Sequence, residues 1–219
     1  MQGRARGDSL KNVDLTVFSG EILGIAGVSG NGQTALAGVI SGMLSIESGE
    51  VLIEEQPLLD ITPAAMISRG VGRIPEDRHR DGIVGSMSVA ENMVIEQLDD
   101  PTLQRNGLLR RDAIRDYAET LLSEYDVRGP GAQASARLLS GGNIQKLILA
   151  RVFDLSPLLI LANHPTRGLD MVSASVLARR LLEARGRGAG IVLISDDLAE
   201  ILMLSDRFLV VHYVAFSLS

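Results

Sequence analysis

The sequence predicts an α/β domain built on a mostly parallel sheet, and three observations carry that prediction. Short apolar runs, EILGIAG (Glu21–Gly27), PLLILAN (Pro157–Asn163) and GIVLIS (Gly190–Ser195), alternate with segments of helical periodicity. A glycine-rich turn leads straight from the first run into a helix. Between the first and second runs lies a long, mostly helical stretch with the look of an inserted subdomain. At 219 residues the chain is long enough for one large domain, or a domain with a subdomain, and for a substantial core.

Taken in order, Glu21–Gly27 is a buried strand feeding a loop, because a short apolar run ending in glycine has no room for a helix. Behind it, TALAGVISGML places Leu36, Val39, Ile40 and Met43 at helical spacing. EVLIEE is expected to be a strand, Thr62 to Arg69 a short helix, and GVGRIPEDRHRDG a strand that ends in a charged loop. From Ser88 to Tyr125 the pattern is mostly helical. SVAENMVIEQL opens with Ser88 and, three residues on, Glu91, the spacing of a capping box. RRDAIRDYAETLLSEYDV lines up Ile114, Tyr117, Ala118, Leu121 and Leu122 on one side. After the loop RGPGAQASAR, Ser140 caps a helix whose apolar face is Ile144, Leu147, Ile148 and Val152. Met171 to Arg185 and DDLAEIL are expected as the remaining helices.

Composition removes several functional classes. Hydrophobic residues make up 46%, too many for a disordered chain. Aromatics are 3% and Trp is absent, which disfavours stacking on bases or sugars. The net charge of -6, with no long Lys/Arg block, gives no nucleic-acid footprint. With no cysteine there is neither a disulfide scaffold nor a Cys-ligated zinc site, which fits a reducing compartment. No signal peptide and no apolar run of spanning length is present, so a cytosolic placement is expected.

The stretch GVSGNGQT (Gly27, Val28, Ser29, Gly30, Asn31, Gly32, Gln33, Thr34) has the glycine spacing of a phosphate-binding loop between strand and helix. Successive backbone N–H groups at a helix start form an anion site by geometry and dipole. These amides are suited to cradling phosphates, and the Thr34 hydroxyl to reaching a magnesium ion. The lysine that normally follows the second glycine is missing, and Gln33 stands in its place.

Five motifs follow one another in order: IAGVSGNGQ, IPEDRHRDG with SVAEN behind it, LSGGNIQK, PTRGLD after PLLILAN, and ISDDLAEIL. With them the chain resembles the ATP-binding subunits of ABC transporters over roughly Ser9 to Arg207. It looks most like the second ATPase half of sugar- and nucleoside-type importers, in which two halves share one polypeptide. Gln33 inclines the match toward the nucleoside branch. The resemblance implies a P-loop NTPase fold with a RecA-like parallel core and an inserted helical subdomain. The expected organisation is one domain over 1–219, with 9–84 and 156–211 as nucleotide-binding core and 85–155 as the helical part.

The resemblance also implies roles. ATP with Mg2+ is the expected cofactor, held by Gly27 to Thr34. Ser140, Gly141, Gly142 and Gln145 belong to the signature that approaches a γ-phosphate. Asn163 stands where the family has a magnesium-supporting aspartate, and His164 where it has the water-positioning glutamate. Asp170 closes the PTRGLD loop, Asp196 replaces the switch histidine, and Glu76 replaces the glutamine that contacts magnesium, water and the coupling surface. The P-loop side is thus degenerate and the signature intact. That implies a weak or absent site of the chain's own and a signature acting in trans on a partner half.

Expected partners are a second ATPase half in a head-to-tail dimer, integral-membrane permease subunits and, indirectly, a solute-binding protein. The expected place is the cytoplasmic face of the cell membrane. Alternatives left open are a soluble ABC protein with no permease, and a non-hydrolysing regulatory or structural module. The ends suggest a fragment or truncated form: the family's first strand and its adenine-stacking aromatic have no counterpart in MQGRARGDSLKN, and FLVVHYVAFSLS lacks a glycine turn. That last segment is either a paired strand or an exposed edge.

Overall fold

A computed structural model describes residues 10, 13–27, 32–212 and 215–218. The chain runs β1 (Ile22–Gly27), α1 (Gln33–Ile40), β2 (Leu52–Ile53), β3 (Gln56–Pro57), α2 (Pro63–Ser68), β4 (Val71–Ile74) and α3 (Val89–Val94). It continues through β5 (Gln104–Arg105), β6 (Leu108–Leu109), α4 (Arg111–Glu124), a 3-10 turn (Ala136–Leu138) and α5 (Gly141–Asp154). The last third is β7 (Leu159–Asn163), α6 (Met171–Gly186), β8 (Gly190–Ser195), α7 (Leu198–Leu204), β9 (Arg207–His212) and β10 (Ala215–Leu218).

The central sheet has the order β10-β9-β1-β8-β7-β4. Every pairing is parallel except that of β10 with β9, so the expected mostly parallel sheet is present. Strands covered on both faces need continuous apolar runs, and β1, β7 and β8 supply them: Ile22, Leu23, Ile25, Ile160, Leu161 and Ile191 to Ile194 are buried. One core cluster fills the space from the sheet to α3, α4 and α5, and a second lies under α1 around Leu23, Ile25, Leu161 and Ile194. Such packing of parallel strands brings their C-terminal ends to one edge, where ligands of open α/β sheets bind.

The helical stretch holds α3, α4 and α5, and their contacts are where the spacing placed them: Ile114, Ala118 and Leu121 are buried on α4, with Tyr117 and Leu122 packed beside them. The capping box at Ser88 forms, Glu91 N donating to Ser88 Oγ at 3.1 Å and Ser88 N to Glu91 Oε2 at 2.7 Å. Three expectations need correction. The span from Ser88 to Tyr125 is interrupted by a hairpin, β5 and β6, turned by Asn106 and Gly107 with φ of 53° and 77°, the left-handed pair that an Asn-Gly hairpin turn requires. EVLIEE gives only the two-residue strand β2, which folds back on β3 through Glu54 and Glu55. Met43 lies beyond the end of α1 and is 58% exposed, so it is not part of that helix's buried face. The C-terminal segment divides between the two readings: β9 is hydrogen-bonded on both sides, to β1 and to β10, and β10 is the end strand of the sheet.

Candidate functional site

The register aligns three strand ends. Ala26 on β1 pairs with Ser195 on β8, and Asn163 on β7 pairs with Ile194. Gly27, Asn163, His164 and Asp196 are therefore neighbours along the C-terminal edge of the sheet, one residue either side of a strand terminus. Val28, Ser29, Gly30 and Asn31 lie outside the described residues. Gly32, at φ +97, is the N-cap of α1, its carbonyl accepting from Leu36 N at 2.9 Å. That left-handed geometry favours a glycine.

Gln33 turns inward. It is 4% exposed, and its Nε2 donates to the Gly27 carbonyl at 3.2 Å. A Cβ on Gly27 would meet Val211 O at 2.9 Å and Gln33 Nε2 at 3.3 Å, so the close approach depends on the glycine. Thr34, the next residue, is exposed on the first turn of α1.

His164 follows the end of β7 with φ of 45°, a left-handed conformation uncommon outside glycine. Its backbone N–H bonds to Ile194 O at 2.8 Å, and the residue is 7% exposed. The ring Nδ1 lies 3.3 Å from Asp196 Oδ1. Two positions that sequence reasoning treated separately are thus in contact, with Asp196 facing an imidazole. They line a cavity of about 240 Å³ together with Thr166, Arg167, Ser195 and Asp197. Beneath it, Ser195 Oγ donates to Glu200 Oε2 at 2.6 Å. Burial pushes the Glu200 carboxyl above its ordinary range, and the bond from Ser195 offsets part of that.

The donor set suits magnesium poorly. Asn163 offers a neutral amide, Thr34 a hydroxyl, and among the described residues no cluster of three or more His, Asp or Glu side chains is disposed to hold a metal. A hard divalent cation is ordinarily held through one or two carboxylates. Phosphate fits better, since the start of α1 presents backbone N–H groups without needing a side-chain charge.

Ser140 caps α5. Its Oγ accepts from Asn143 Nδ2 at 2.9 Å and from Asn143 N at a long 3.5 Å, which leaves the hydroxyl proton free to donate outward. A Cβ on Gly142 would meet nothing within 4 Å, and one on Gly141 would come within 3.3 Å of Arg78 Nε. Gln145 points away from this surface: it is buried and donates through Nε2 to Pro165 O at 3.2 Å, tying α5 to the loop after β7. Asp170 caps α6, with Oδ1 accepting from Val172 N at 3.0 Å and Ser173 N at 2.9 Å. Those bonds, Ser173's first, hold its carboxyl below the ordinary range. Glu76 is exposed and ion-paired with Arg167. The structure thus gathers the strand-end residues into one place, and it sets Gln145 and Asp170 to structural bonds.

Sequence reasoning missed Arg78, Asn92, Arg151 and Glu200. Arg78 donates to Arg167 O at 3.1 Å and to Gly168 O at 3.2 Å. Arg151 carried a signal: it falls at helical spacing with Ile144, Leu147 and Ile148, a charge on an apolar stripe.

A family model described as ABC transporter matches residues 10–167. A nucleoside import ATP-binding protein of Lactococcus lactis, NupA, is 42% identical over 203 residues, 93% of this chain and 40% of that protein. A glucose import ATP-binding protein of Haloferax volcanii, TsgD13, is 44% identical over 207 residues, 94% of this chain and 38% of that protein. The chain therefore spans about two fifths of the length of these relatives. Among solved structures, a dimeric post-hydrolysis ATP-binding cassette bound to ADP and Pi superposes with a TM-score of 0.78 at 21% identity, covering 95% of this chain and 90% of that one. A nucleotide-free ATP-binding cassette from an ABC transporter gives 0.77 at 21% identity, over 98% and 86%. These two agree with the fold, a P-loop NTPase sheet with its helical part. With its family match and its relatives, the chain belongs to the ABC transporter ATP-binding family.

Proposed function

We propose that this chain is the ATP-binding part of an importer for simple sugars or nucleosides, and that its own nucleotide site binds without effective turnover. The import names of its relatives support the first half of that reading. The second half is supported by how the side chains at the strand ends are engaged. Gln33 is spent on the Gly27 carbonyl, Asn163 is neutral, and His164 is paired with Asp196.

ATP would supply the phosphates and the leaving group. What the chain contributes at its own site is backbone N–H groups from Gly27 to Thr34 and the Thr34 hydroxyl. Loss of a single transition-state contact typically costs about 100- to 1000-fold. Four positions that carry such contacts in the family are replaced here, so turnover falls to near background even though the losses do not multiply. On the other surface, Ser140, Gly141 and Gly142 offer a hydroxyl proton, small residues and the N-terminus of α5 to a phosphate held by a partner half. Glu76 and the helical part face the membrane subunits in this reading, at the cytoplasmic side of the membrane. No described helix is long and apolar enough to cross a bilayer.

The contact between His164 and Asp196 favours a second reading, in which the site is rebuilt. A carboxylate on Nδ1 fixes an imidazole's tautomer and leaves Nε2 as a base. Magnesium-dependent ATP hydrolysis by the purified chain, beside His164→Ala and an ATP titration, separates the two. Binding without turnover above the variant supports the non-hydrolysing site. Turnover that His164→Ala abolishes establishes the rebuilt one.

A further inference from the structure

The loop between β4 and α3 is fastened at its two ends to different parts of the molecule. Its near end belongs to the sheet side. Glu76 pairs with Arg167, Arg78 donates to the Arg167 and Gly168 carbonyls, and Arg73 on β4 donates through Nη2 to Asp81 O at 2.7 Å. Its far end belongs to α5. Arg151 Nη2 donates to Gly82 O at 3.1 Å and Nη1 to Asn92 O at 3.1 Å. A Cβ on Gly82 would lie 2.4 Å from Ile148 Cδ1, so the loop backbone rests directly on that helix. Fully buried Asn92 grips Val84 from both sides, accepting from its N–H at 2.7 Å and donating to its carbonyl at 3.0 Å. Beyond it, Arg137 N donates to Gly85 O at 3.1 Å and Ala136 N to Met87 O at 2.9 Å, joining the loop to the turn that leads into Ser140.

Arg151 is the residue in this set whose chemistry is hardest to explain by packing. It is 4% exposed, and desolvation pulls its pKa below the usual arginine value, with Glu96 at 3.3 Å as its ionic partner. An aliphatic side chain would fill the same space without burying a charge. What an arginine adds is a rigid planar fork that reaches two carbonyls on two elements at once. Adjacent carbonyls, Asp81 O and Gly82 O, are thus held one by Arg73 of the sheet and the other by Arg151 of the signature helix.

We propose that Arg151 is a positioning residue that makes the far half of this loop one rigid unit with α5, the loop dividing at the Asp81–Gly82 bond. A displacement of Gly82 to Met87 by a membrane partner is then delivered to Ser140–Gly142 at the other end of the helix. This rests on the reading above, in which the loop faces the membrane subunits and the signature serves a partner half.

The test uses the complete transporter reconstituted in vesicles and records solute uptake and ATP hydrolysis together. Arg151→Met keeps the volume and loses the fork. It should leave basal hydrolysis within about threefold and lower uptake per ATP by about tenfold or more, a loss of about 1.4 kcal/mol of coupling. Arg151→Lys, which keeps a donor, should fall between. Uptake per ATP within twofold of wild type in Arg151→Met would overturn the proposal.

Should that variant fail to assemble, Gly85→Cys with Arg137→Cys answers the same question. A Cβ at Gly85 lies 3.4 Å from that of Arg137, close to disulfide range, and the chain has no cysteine of its own. Oxidation should leave uptake intact if the two move as one, and abolished uptake would refute the rigid unit. A bulky residue at Gly141 serves as the control on the underlying reading. If hydrolysis by the complex survives it, the trans role fails; if hydrolysis is lost while Arg151→Met stays coupled, only the present inference falls.

Discussion

Gln33→Lys puts back the charge that the phosphate loop lacks, and the structure sets the sign and size of the result. Gln33 is 4% exposed with its amide on the Gly27 carbonyl at 3.2 Å. A lysine can keep that bond and add a charge-assisted one to a bound phosphate. Such a bond contributes about 1.5–3 kcal/mol, so ATP affinity should rise about 10- to 150-fold. Without nucleotide the same ammonium is buried against the Gly27 carbonyl, and the free protein should melt at a lower temperature than wild type. Near saturation with ATP the added affinity becomes about 1.5–3 kcal/mol of further stabilisation. For a chain of this size that is about 3–12 °C in the ligand-induced shift. The assay is a pair of melting curves, with and without ATP, beside a binding titration and a hydrolysis measurement. Hydrolysis should stay at background, because Asn163, His164 and Asp196 are untouched. Unchanged ATP affinity would refute the placement of phosphates at this loop. Brisk turnover would refute the weight given to the other three positions.

Three further outcomes follow from single contacts. Glu200 has a raised pKa, so the stability tied to its neutral form is present below the unfolded carboxylate pKa and lost as pH rises through the folded one; Glu200→Gln should match wild type in acid, melt higher at neutral pH and flatten the slope between, and a lower neutral melting temperature would count against it. Ser88→Ala removes a cap and should cost about 1 kcal/mol in denaturant unfolding. The same box lowers the Glu91 pKa, chiefly through the Ser88 backbone bond, so its share of stability is present above the unfolded pKa and disappears as pH falls through the lowered folded value; a Glu91→Gln penalty unchanged in acid would refute that linkage. Gly24→Ala drives a Cβ to 2.3 Å from Ser205 Oγ and 2.9 Å from Ile201 Cγ2 between β1 and α7; overpacking of this kind typically costs about 1–3 kcal/mol, and an unaffected unfolding midpoint would mean that α7 moves aside freely.

The strands were legible because a two-sided parallel sheet demands unbroken apolar runs, and Ile22–Gly27, Leu159–Asn163 and Gly190–Ser195 lie within one or two residues of the segments read from the sequence. The helix caps at Ser88 and Ser140 were legible for the same kind of local reason. The hairpin at Asn106-Gly107 carried a turn signal, but strong helical periodicity on both sides masked it. Glu54 and Glu55 carried none, since glutamate at positive φ is not a turn preference, and only tertiary placement puts them there. At the site, sequence identified His164 and Asp196 as unusual one at a time. Their contact depends on the parallel register of β7 with β8, which lies 32 residues apart along the chain and is invisible to any local window. Gln145 shows the opposite limit: its motif is plain, yet the helix phase turns it onto Pro165.

If the site is the non-hydrolysing one proposed above, the facing of His164 and Asp196 also constrains how hydrolysis could be introduced there stepwise. Placing a glutamate at position 164 first would set two carboxylates against each other where an imidazole and a carboxylate now meet, and like charges that close raise a pKa or push the groups apart. Changing Asp196 first leaves an intermediate with no such conflict. The two routes to the same double variant are therefore unequal: one crosses a barrier of repulsion and the other does not, so a mutational library sampled one substitution at a time should reach hydrolysis by way of position 196.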